Sequence, residues 1–196
     1  MRLAIGLILL LISVGPAEAI WAHLTPEQIR EALAHGKATF EQWRTTGRPI
    51  DDMDPEYVVD RGPEIGRAIL STEFALLALE ARRWTAIRRE LGTADIEQIL
   101  SPLRGRLLFS VTLVGPNRDF LRHYTVHLDQ GDIRKEPTSW NVFRGSPTPD
   151  APSRFTASVQ YIFLLEGLSP TAPVVLVMRA PDGQELRFDF DLSRLR

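Results

Sequence analysis

Two of the four histidines in this chain lie four residues apart, at the ends of the segment HYTVH, residues 123–127. On a helix this spacing would place both imidazoles on one face, where they could bind one zinc ion. The residues between them favour a strand, and polar and apolar residues alternate through the segment. On a strand, His123 and His127 would be about 13 Å apart, whereas zinc takes its nitrogen ligands at about 2.0 Å. We therefore do not expect these histidines to share a metal ion.

A second metal hypothesis concerns His127 and Asp129. Two residues apart on a strand, they would lie on one face about 6.6 Å from each other, and could share an ion with a residue of a neighbouring strand. The alternative is an ordinary strand end, followed by a turn at residues 130–132. Because the chain has four histidines and no cysteine, we expect neither a zinc enzyme nor any other cofactor.

The motifs of several large enzyme classes are absent from the sequence. There is no G-x-S-x-G, no G-x-x-x-x-G-K-[ST], no G-x-G-x-x-G and no cysteine nucleophile. A carboxylate pair for glycoside hydrolysis stays open, because such a pair is defined by its separation in space. We favour a non-catalytic protein. The alternative is a hydrolase, or a small-molecule or metal-binding protein, with its site between the helical and β halves.

A possible recognition surface lies in the proline-rich segment 135–155, whose composition is loop-like. It carries Trp140, Phe143 and Arg144, and aromatic anchors held on a loop are typical of surfaces that bind proteins. The alternative is a short strand whose aromatic side chains fill the interior of a sandwich. We take these three residues as candidates for binding a protein or another envelope component.

The N-terminal segment predicts where the protein is located. Arg2 precedes an apolar run over residues 3–14, and alanines follow at 17 and 19, which together form a secretory signal peptide. The run is shorter than the roughly 20 residues that span a bilayer. We expect cleavage after Ala19, no stable transmembrane anchor, and an exported protein, periplasmic or secreted, from a bacterial host.

The composition excludes some classes of binding partner. The net charge is −2, and neither half is strongly basic, so we expect no nucleic-acid partner. Hydrophobic residues make up 44% of the chain, which is enough to fill a globular core. Without cysteine, stability in an oxidising compartment must come from packing. The composition does not predict an oligomeric state.

Helical signals occupy the first half of the chain. Thr25 as N-cap, Pro26 at the first helical position and Gln28 in a capping box predict a helix over about 26–45. The acidic segment that follows is predicted to be a solvated loop. Apolar residues spaced four and three apart from Leu70 onwards predict the longest helix over 63–91. Its arginines are expected on a solvated face, and they are Arg82, Arg83, Arg88 and Arg89.

After Gly105 the apolar period changes from helical to two, which is the period of strands. Turn residues separate the runs and no helical crossover intervenes, so five to six antiparallel strands are expected, as a sandwich or a curled sheet. The predicted fold class is α+β. We expect a signal peptide at 1–19, a helical region at 20–104 and a β region at 105–196, with 20–196 forming one compact unit.

Overall fold

The structure is a computed structural model that describes residues 23–47, 49, 52–148 and 151–196, except the side chain of Pro152. The expected signal peptide and its cleavage site lie outside the described residues. The helices are α1 (Pro26–Thr46), α2 (Glu73–Ala86) and α3 (Thr93–Leu100). The described strands are β1 (Val58–Asp60), β2 (Gly66–Ser71), β3 (Arg106–Gly115), β4 (Thr125–Gln130), β5 (Ile133–Lys135), β6 (Ser139–Thr148), β7 (Ala151–Leu164), β8 (Pro173–Arg179) and β9 (Glu185–Asp191).

Helix α1 confirms the predicted first helix, because its ends are encoded locally. The Thr25 hydroxyl accepts a hydrogen bond from the Gln28 amide, and the Gln28 side chain accepts one from the Thr25 amide, at 3.3 and 2.8 Å. This capping box satisfies two amides that have no partner inside the helix. At the other end Gly47 adopts a left-handed φ of 69° and donates its amide to the Trp43 carbonyl, which closes the helix.

The strands form two antiparallel sheets, in the order β1-β2-β3-β7-β6 and β5-β4-β8-β9. Their apolar faces pack on each other, and the ring centroid of Phe109 lies 5.6 Å from that of Phe163 and 5.4 Å from that of Phe190 in the facing sheet. The predicted α+β class with an antiparallel sandwich is confirmed. The described residues contain nine strands rather than five or six, because two lie in the first half of the chain and the second half contains seven.

The predicted helix over 63–91 is wrong at both ends. Residues 66–71 form β2, which pairs with β3 and buries Leu70, and the helix begins only at Glu73 and ends at Ala86. Thr72 separates the two elements, because its hydroxyl accepts the Ala75 amide at 3.1 Å and caps α2. Leu70 keeps a helical spacing to Phe74 by coincidence. The acidic segment is not all loop, since residues 58–60 form β1.

Helix α2 joins the helical half to the sandwich. Its Ala75 belongs to the core between the sheets, whereas Phe74 and Leu77 belong to a second core with α1 and α3. The contact with α1 is close at Gly36, where an added Cβ would lie 2.2 Å from the Ala78 carbonyl oxygen and 2.7 Å from the Ala81 Cβ. Backbones can approach this closely only where one residue lacks a side chain.

The expectation that Arg82 is solvated is wrong, since its side chain is 2% exposed. Its guanidinium donates to the Asp52 carbonyl at 2.7 Å, the Asp54 carboxylate at 3.3 Å and the Thr39 hydroxyl at 3.2 Å. It also lies 3.9 Å from the centre of a Trp43 ring, within the range of a cation–π contact. Arg82 therefore fastens the start of the acidic segment to α1 and α2.

One border of the sandwich is closed by a side chain. Arg61, just after β1, donates from Nε to the Arg187 carbonyl of edge strand β9 at 3.1 Å and forms an ion pair with Asp189 at 3.3 Å. The edge strands β1 and β5 are three residues long. Among the helices of the described residues, none combines the length and the hydrophobicity needed to cross a bilayer.

Candidate binding surface

Strand β6 lies at the edge of the five-stranded sheet and pairs only with β7 among the described residues. Trp140 and Phe143 therefore lie in a strand, as the short-strand interpretation expected, and the proline in this segment does not prevent it. An edge strand tolerates proline because half of its amides have no partner strand, and Pro147 lies in this strand.

Trp140 lies on the face of the sheet that is directed towards the other sheet. It is directly opposite Tyr161, and Val142 is opposite Val159, and both β7 partners belong to the core between the sheets. Trp140 is nevertheless 65% exposed, so it does not fill the interior of the sandwich as the alternative required. It lies at the border of the interior, beside the free edge of β6.

Beside Trp140 the two sheets leave a half-open cavity of about 290 Å³, which we call the edge groove. One wall comes from β6 and β7, and the other from β4 and the short 3-10 helix at Phe120–His123. Its apolar and aromatic lining consists of Leu121, Tyr124, Val126, Pro137, Trp140, Val142 and Tyr161, and charged Arg122 and Glu136 also line it. The groove thus combines apolar walls with few polar groups, as ligand sites commonly do.

The polar groups of the lining include two tyrosine hydroxyls. Neither Tyr124 nor Tyr161 makes a side-chain hydrogen bond to another described residue. Burial raises the pKa of the Tyr161 hydroxyl, and Tyr124 raises it further. Burial likewise raises the pKa of Tyr124, with a smaller effect from Asp182. Both phenols therefore remain protonated at neutral pH and can donate a hydrogen bond to a carbonyl oxygen of a ligand.

Phe143 and Arg144 are not part of this groove. Phe143 is opposite Ser158, on the outer face of the sheet, and is 45% exposed. The register shifts after Phe143, and the Gly145 amide donates to the Arg118 carbonyl at 3.1 Å. The edge of β6 is therefore covered at Gly145, whereas no described residue outside β7 is seen to pair with the backbone of residues 139–143. Arg144 is exposed at the end of this free stretch and forms no ion pair within the described residues.

The structure brings His127 and Asp129 together on β4. His127 Nε2 lies 3.3 Å from the Asp129 carboxylate, which also accepts hydrogen bonds from Arg134 at 2.9 and 3.1 Å. The hydrogen bond from Arg134 is the main reason why the pKa of Asp129 is lowered. No group of three or more histidine, aspartate and glutamate residues in the described part of the chain could hold a metal. The metal pair stays a prediction, and it would require the ion to displace Arg134.

Strand β4 contains His127 but not His123. The strand begins at Thr125 and buries Val126 and Leu128, while His127 and Asp129 lie on the opposite face, as the alternation predicted. His123 is outside the strand, because residues 120–123 form a 3-10 helix. The predicted strand began at residue 122, three residues before the start of β4.

A smaller cavity of about 160 Å³ lies between the helical and β halves, where the alternative function would have its site. It is lined in part by His35, Asp54 and Tyr57. His35 Nε2 lies 2.7 Å from Asp54, whose carboxylate also accepts from Arg82. The hydrogen bond to His35 is the main reason why the pKa of Asp54 is lowered. This carboxylate is therefore fully engaged, and a hydrolase stays a prediction.

Sequence reasoning did not identify most residues of the edge groove. The alternation did place Tyr124 and Tyr161 on the core faces of their strands. A tyrosine on such a face needs a partner for its hydroxyl or access to water, which was the available signal. Leu121 and Val142 gave none, because their role depends on how the two sheets meet.

No protein-family model matches this chain, and no curated protein sequence matches it. Among solved structures, the archaellum periplasmic stator protein FlaG from Sulfolobus acidocaldarius is similar over 44% of this chain and 86% of its own, with 13% identity and a TM-score of 0.31. An IgNAR antibody domain C1 is similar over 68% of this chain and 95% of its own, with 11% identity and a TM-score of 0.34.

Proposed function

We propose that this chain is an exported, non-catalytic binding module that takes an extended segment of a partner protein at the free edge of β6. The observation that carries the proposal is the exposed Trp140, which lies on a free strand edge beside a groove with two tyrosine hydroxyls that have no hydrogen-bond partner among the described residues. Protein-binding hot spots are enriched in tryptophan and tyrosine.

The free edge supplies backbone hydrogen bonds. An edge strand presents a row of amides and carbonyls without partners, and an extended peptide can pair with them as an additional strand. In β6 the stretch over residues 139–143 is available for this pairing. The Arg118 carbonyl covers the strand at Gly145, which limits the length of the added strand.

The edge groove supplies specificity. Side chains of an added strand alternate between the two faces of the sheet, about 6.6 Å apart on one face. Those on the inner face would continue the row of Trp140 beyond the edge and enter the groove between the two sheets. Its walls there are Leu121, Val126 and Val142. An apolar side chain is therefore expected at alternate positions of the partner segment.

Charge beside the groove favours an acidic residue in the partner. Arg122 is already paired with Asp119 at 3.3 Å, whereas Arg144 at the end of the free stretch has no such partner among the described residues. A carboxylate near Arg144 would gain a favourable interaction, and would mainly affect specificity and the rate of association.

The proposal includes the location of the protein and its organisation as a single domain. The signal peptide at 1–19 supports export to the periplasm or beyond the cell of a bacterium. The cores of the helical and β halves share helix α2, which supports residues 20–196 as one compact unit.

Peptide display against the purified full chain tests the proposal. Random peptides are selected on the wild type alone, and the affinity of the enriched sequences for the wild type and for Trp140→Ala is measured by fluorescence anisotropy. Because a hot-spot truncation costs at least about 2 kcal/mol, Trp140→Ala should raise Kd by about 30-fold. Ile87→Ala is the matched control, since Ile87 is an exposed apolar residue of the helical half, and it should leave Kd unchanged.

Strand addition has a separate signature in the peptide. Methylation of backbone nitrogens at alternate positions should abolish binding in one register and be tolerated in the other, because only alternate amides face β6. If enriched peptides bind Trp140→Ala as tightly as the wild type, the edge groove is not the binding site. If methylation at every position is tolerated, the segment does not bind as a strand.

A further inference from the structure

A second cavity, of about 320 Å³, lies in the helical half and is separate from the edge groove. The start of α1, the first residue of α2 and the length of α3 surround it. Its apolar lining consists of Leu24, Ile29, Ile96 and Leu100, and its polar lining includes His23, Glu73, Glu97 and Arg104. The volume is at the lower end of the range of about 300–1,000 Å³ in which small-molecule sites fall.

Glu73 is the unusual residue of this cavity. Its side chain is 4% exposed. One carboxylate oxygen, Oε2, accepts the Leu24 amide at 3.1 Å, while the other, Oε1, is buried and has no hydrogen-bond partner among the described residues. Buried carboxylates in folded proteins are generally paired or fully hydrogen-bonded, so Oε1 lacks a donor that its surroundings would normally provide.

The helix explains only part of this arrangement. Glu73 is the first residue of α2, after the N-cap Thr72, and negative charge is favourable at a helix N-terminus. That interaction does not supply a donor to Oε1. Burial raises the pKa of Glu73, and the Leu24 amide, His23 and Arg104 oppose this effect.

The cations around the cavity do not pair closely with Oε1. His23 Nδ1 lies 3.9 Å from it, beyond hydrogen-bond distance, on a side chain that is mostly exposed. Arg104 forms an ion pair with Glu97 at 2.5 Å, at the rim. The described side chains around the cavity therefore leave Oε1 without a donor, and the cavity gives a ligand access to Glu73.

We propose that this cavity binds a small organic cation, whose ammonium group donates to the Glu73 carboxylate and whose aliphatic body packs on Leu24, Ile29, Ile96 and Leu100. The torsion that turns a glutamate carboxylate is broad, so Oε1 can turn to the ligand without a change of rotamer at the other torsions. The short aliphatic lining and the single carboxylate select an amine with a compact apolar body over an anion or a sugar.

Binding of two probes of equal shape to the purified full chain tests this inference. Hexylammonium carries the charge, and n-hexanol has the same chain without it. Methyl NMR shifts at Leu24, Ile29 and Ile96 locate the binding and give Kd. Hydrogen bonds to a charged group are worth more than neutral ones, so hexylammonium should bind at least about tenfold more tightly than n-hexanol.

Two variants separate the carboxylate from general charge. Glu73→Gln keeps the size of the side chain and should reduce the preference for hexylammonium to within about twofold. Glu27→Gln removes an exposed carboxylate of α1 outside the cavity, and should keep the full preference. Equal affinity for both probes on the wild type, a preference that survives Glu73→Gln, or no shift at the three methyl positions would each overturn the inference.

The pH dependence on the wild type gives the same test without a change at Glu73. The preference for hexylammonium should disappear as pH falls below the raised pKa of Glu73, because the neutral carboxyl no longer attracts the cation. His23, Glu97 and Arg104 also face this carboxylate. Repeating the titration in His23→Asn removes the histidine, and the loss should persist there. A preference that does not change across the acidic range contradicts the inference.

Discussion

Replacing Arg82 by methionine tests how the helical half is held to the acidic segment. Methionine has a similar length and fills much of the same space, so the substitution removes the charge and the donors and opens only a small cavity. Three hydrogen bonds and the contact with Trp43 are lost together. The partner Asp54 stays in place with a side chain that is 16% exposed.

The magnitude follows from what remains after the substitution. Removing one partner of a buried ion pair costs about 3–5 kcal/mol, because the other charge is left uncompensated. Asp54 retains its hydrogen bond to His35 and some contact with water, so we expect the lower end, about 3 kcal/mol. For a chain of 196 residues, this corresponds to a decrease in Tm of about 6–12 °C.

Urea and thermal unfolding, followed by far-UV circular dichroism, measure the change. Arg82→Lys should fall between the wild type and Arg82→Met, because an ammonium keeps the charge but lacks the planar set of donors that reaches Thr39, Asp52 and Asp54 at once. The control is Arg30→Ala on α1, which removes an exposed ion pair with Glu27 and should change stability by less than about 0.5 kcal/mol.

The result that refutes this reasoning is a free energy of unfolding for Arg82→Met within about 1 kcal/mol of the wild type, since a buried ion pair can be nearly neutral against an apolar replacement. A double variant with Asp54→Asn separates the causes. If the ion pair dominates, the two substitutions together should destabilise by clearly less than the sum of their single effects.

Two further predictions concern pH and packing. Burial raises the pKa of all three tyrosines of the chain, that of Tyr57 to about 12, so the phenolate absorbance of the folded protein should rise at a higher pH than that of the urea-unfolded chain. Since the fold favours the neutral phenol of Tyr57, its contribution to stability is complete below pH 10.0 and is lost as the pH rises towards about 12; equal titration midpoints for the folded and unfolded chain would contradict this. Gly36→Ala should destabilise the chain by about 1–3 kcal/mol in urea unfolding, because the new Cβ collides with Ala78 and Ala81. An unchanged or increased stability, as the higher helix propensity of alanine alone would give, would contradict the close approach of α1 and α2.

Features with a local cause could be predicted from the sequence. The capping box at Thr25 and Gln28 and the glycine at 47 lie within or beside the helix they delimit, and α1 ends one residue from its expected end. The alternation of polar and apolar residues in β4 likewise depends only on neighbours along the chain. The sandwich followed from the same period-two signal repeated along the second half.

Features that depend on contacts distant in sequence could not be predicted. Residues 66–71 carry a helical spacing of apolar residues, and it is pairing with β3 that makes them a strand. Gly66 was the local signal, because its φ of 124° lets the backbone approach Thr112. The burial of Arg82 depends on Trp43 and Asp54, which lie on other elements.

In the candidate site, residue types could likewise be predicted from the sequence, whereas their arrangement in space could not. Trp140 and Phe143 were identified by type, but their opposite faces and the free edge follow from pairing with β7. The edge groove forms where β4 and β6, which belong to different sheets, lie next to each other. Glu73 appeared only as a residue of a long helix, and its contact with Leu24 spans 49 positions of the chain.

The edge strands of the two sheets differ in length and in coverage, and this limits how many added strands the molecule can pair with. β1 and β5 are too short to template a long partner, and Arg61 occupies the border at β9, so among the described edges β6 alone offers a free stretch. A chain with one such edge can accept one strand and cannot pass pairing on to a further copy. Two copies that met through β6 would form a closed two-fold pair, whereas growth into a fibre requires a second open edge. Under the proposal above, and for the edges that the structure describes, strand addition at β6 would give assemblies of finite size.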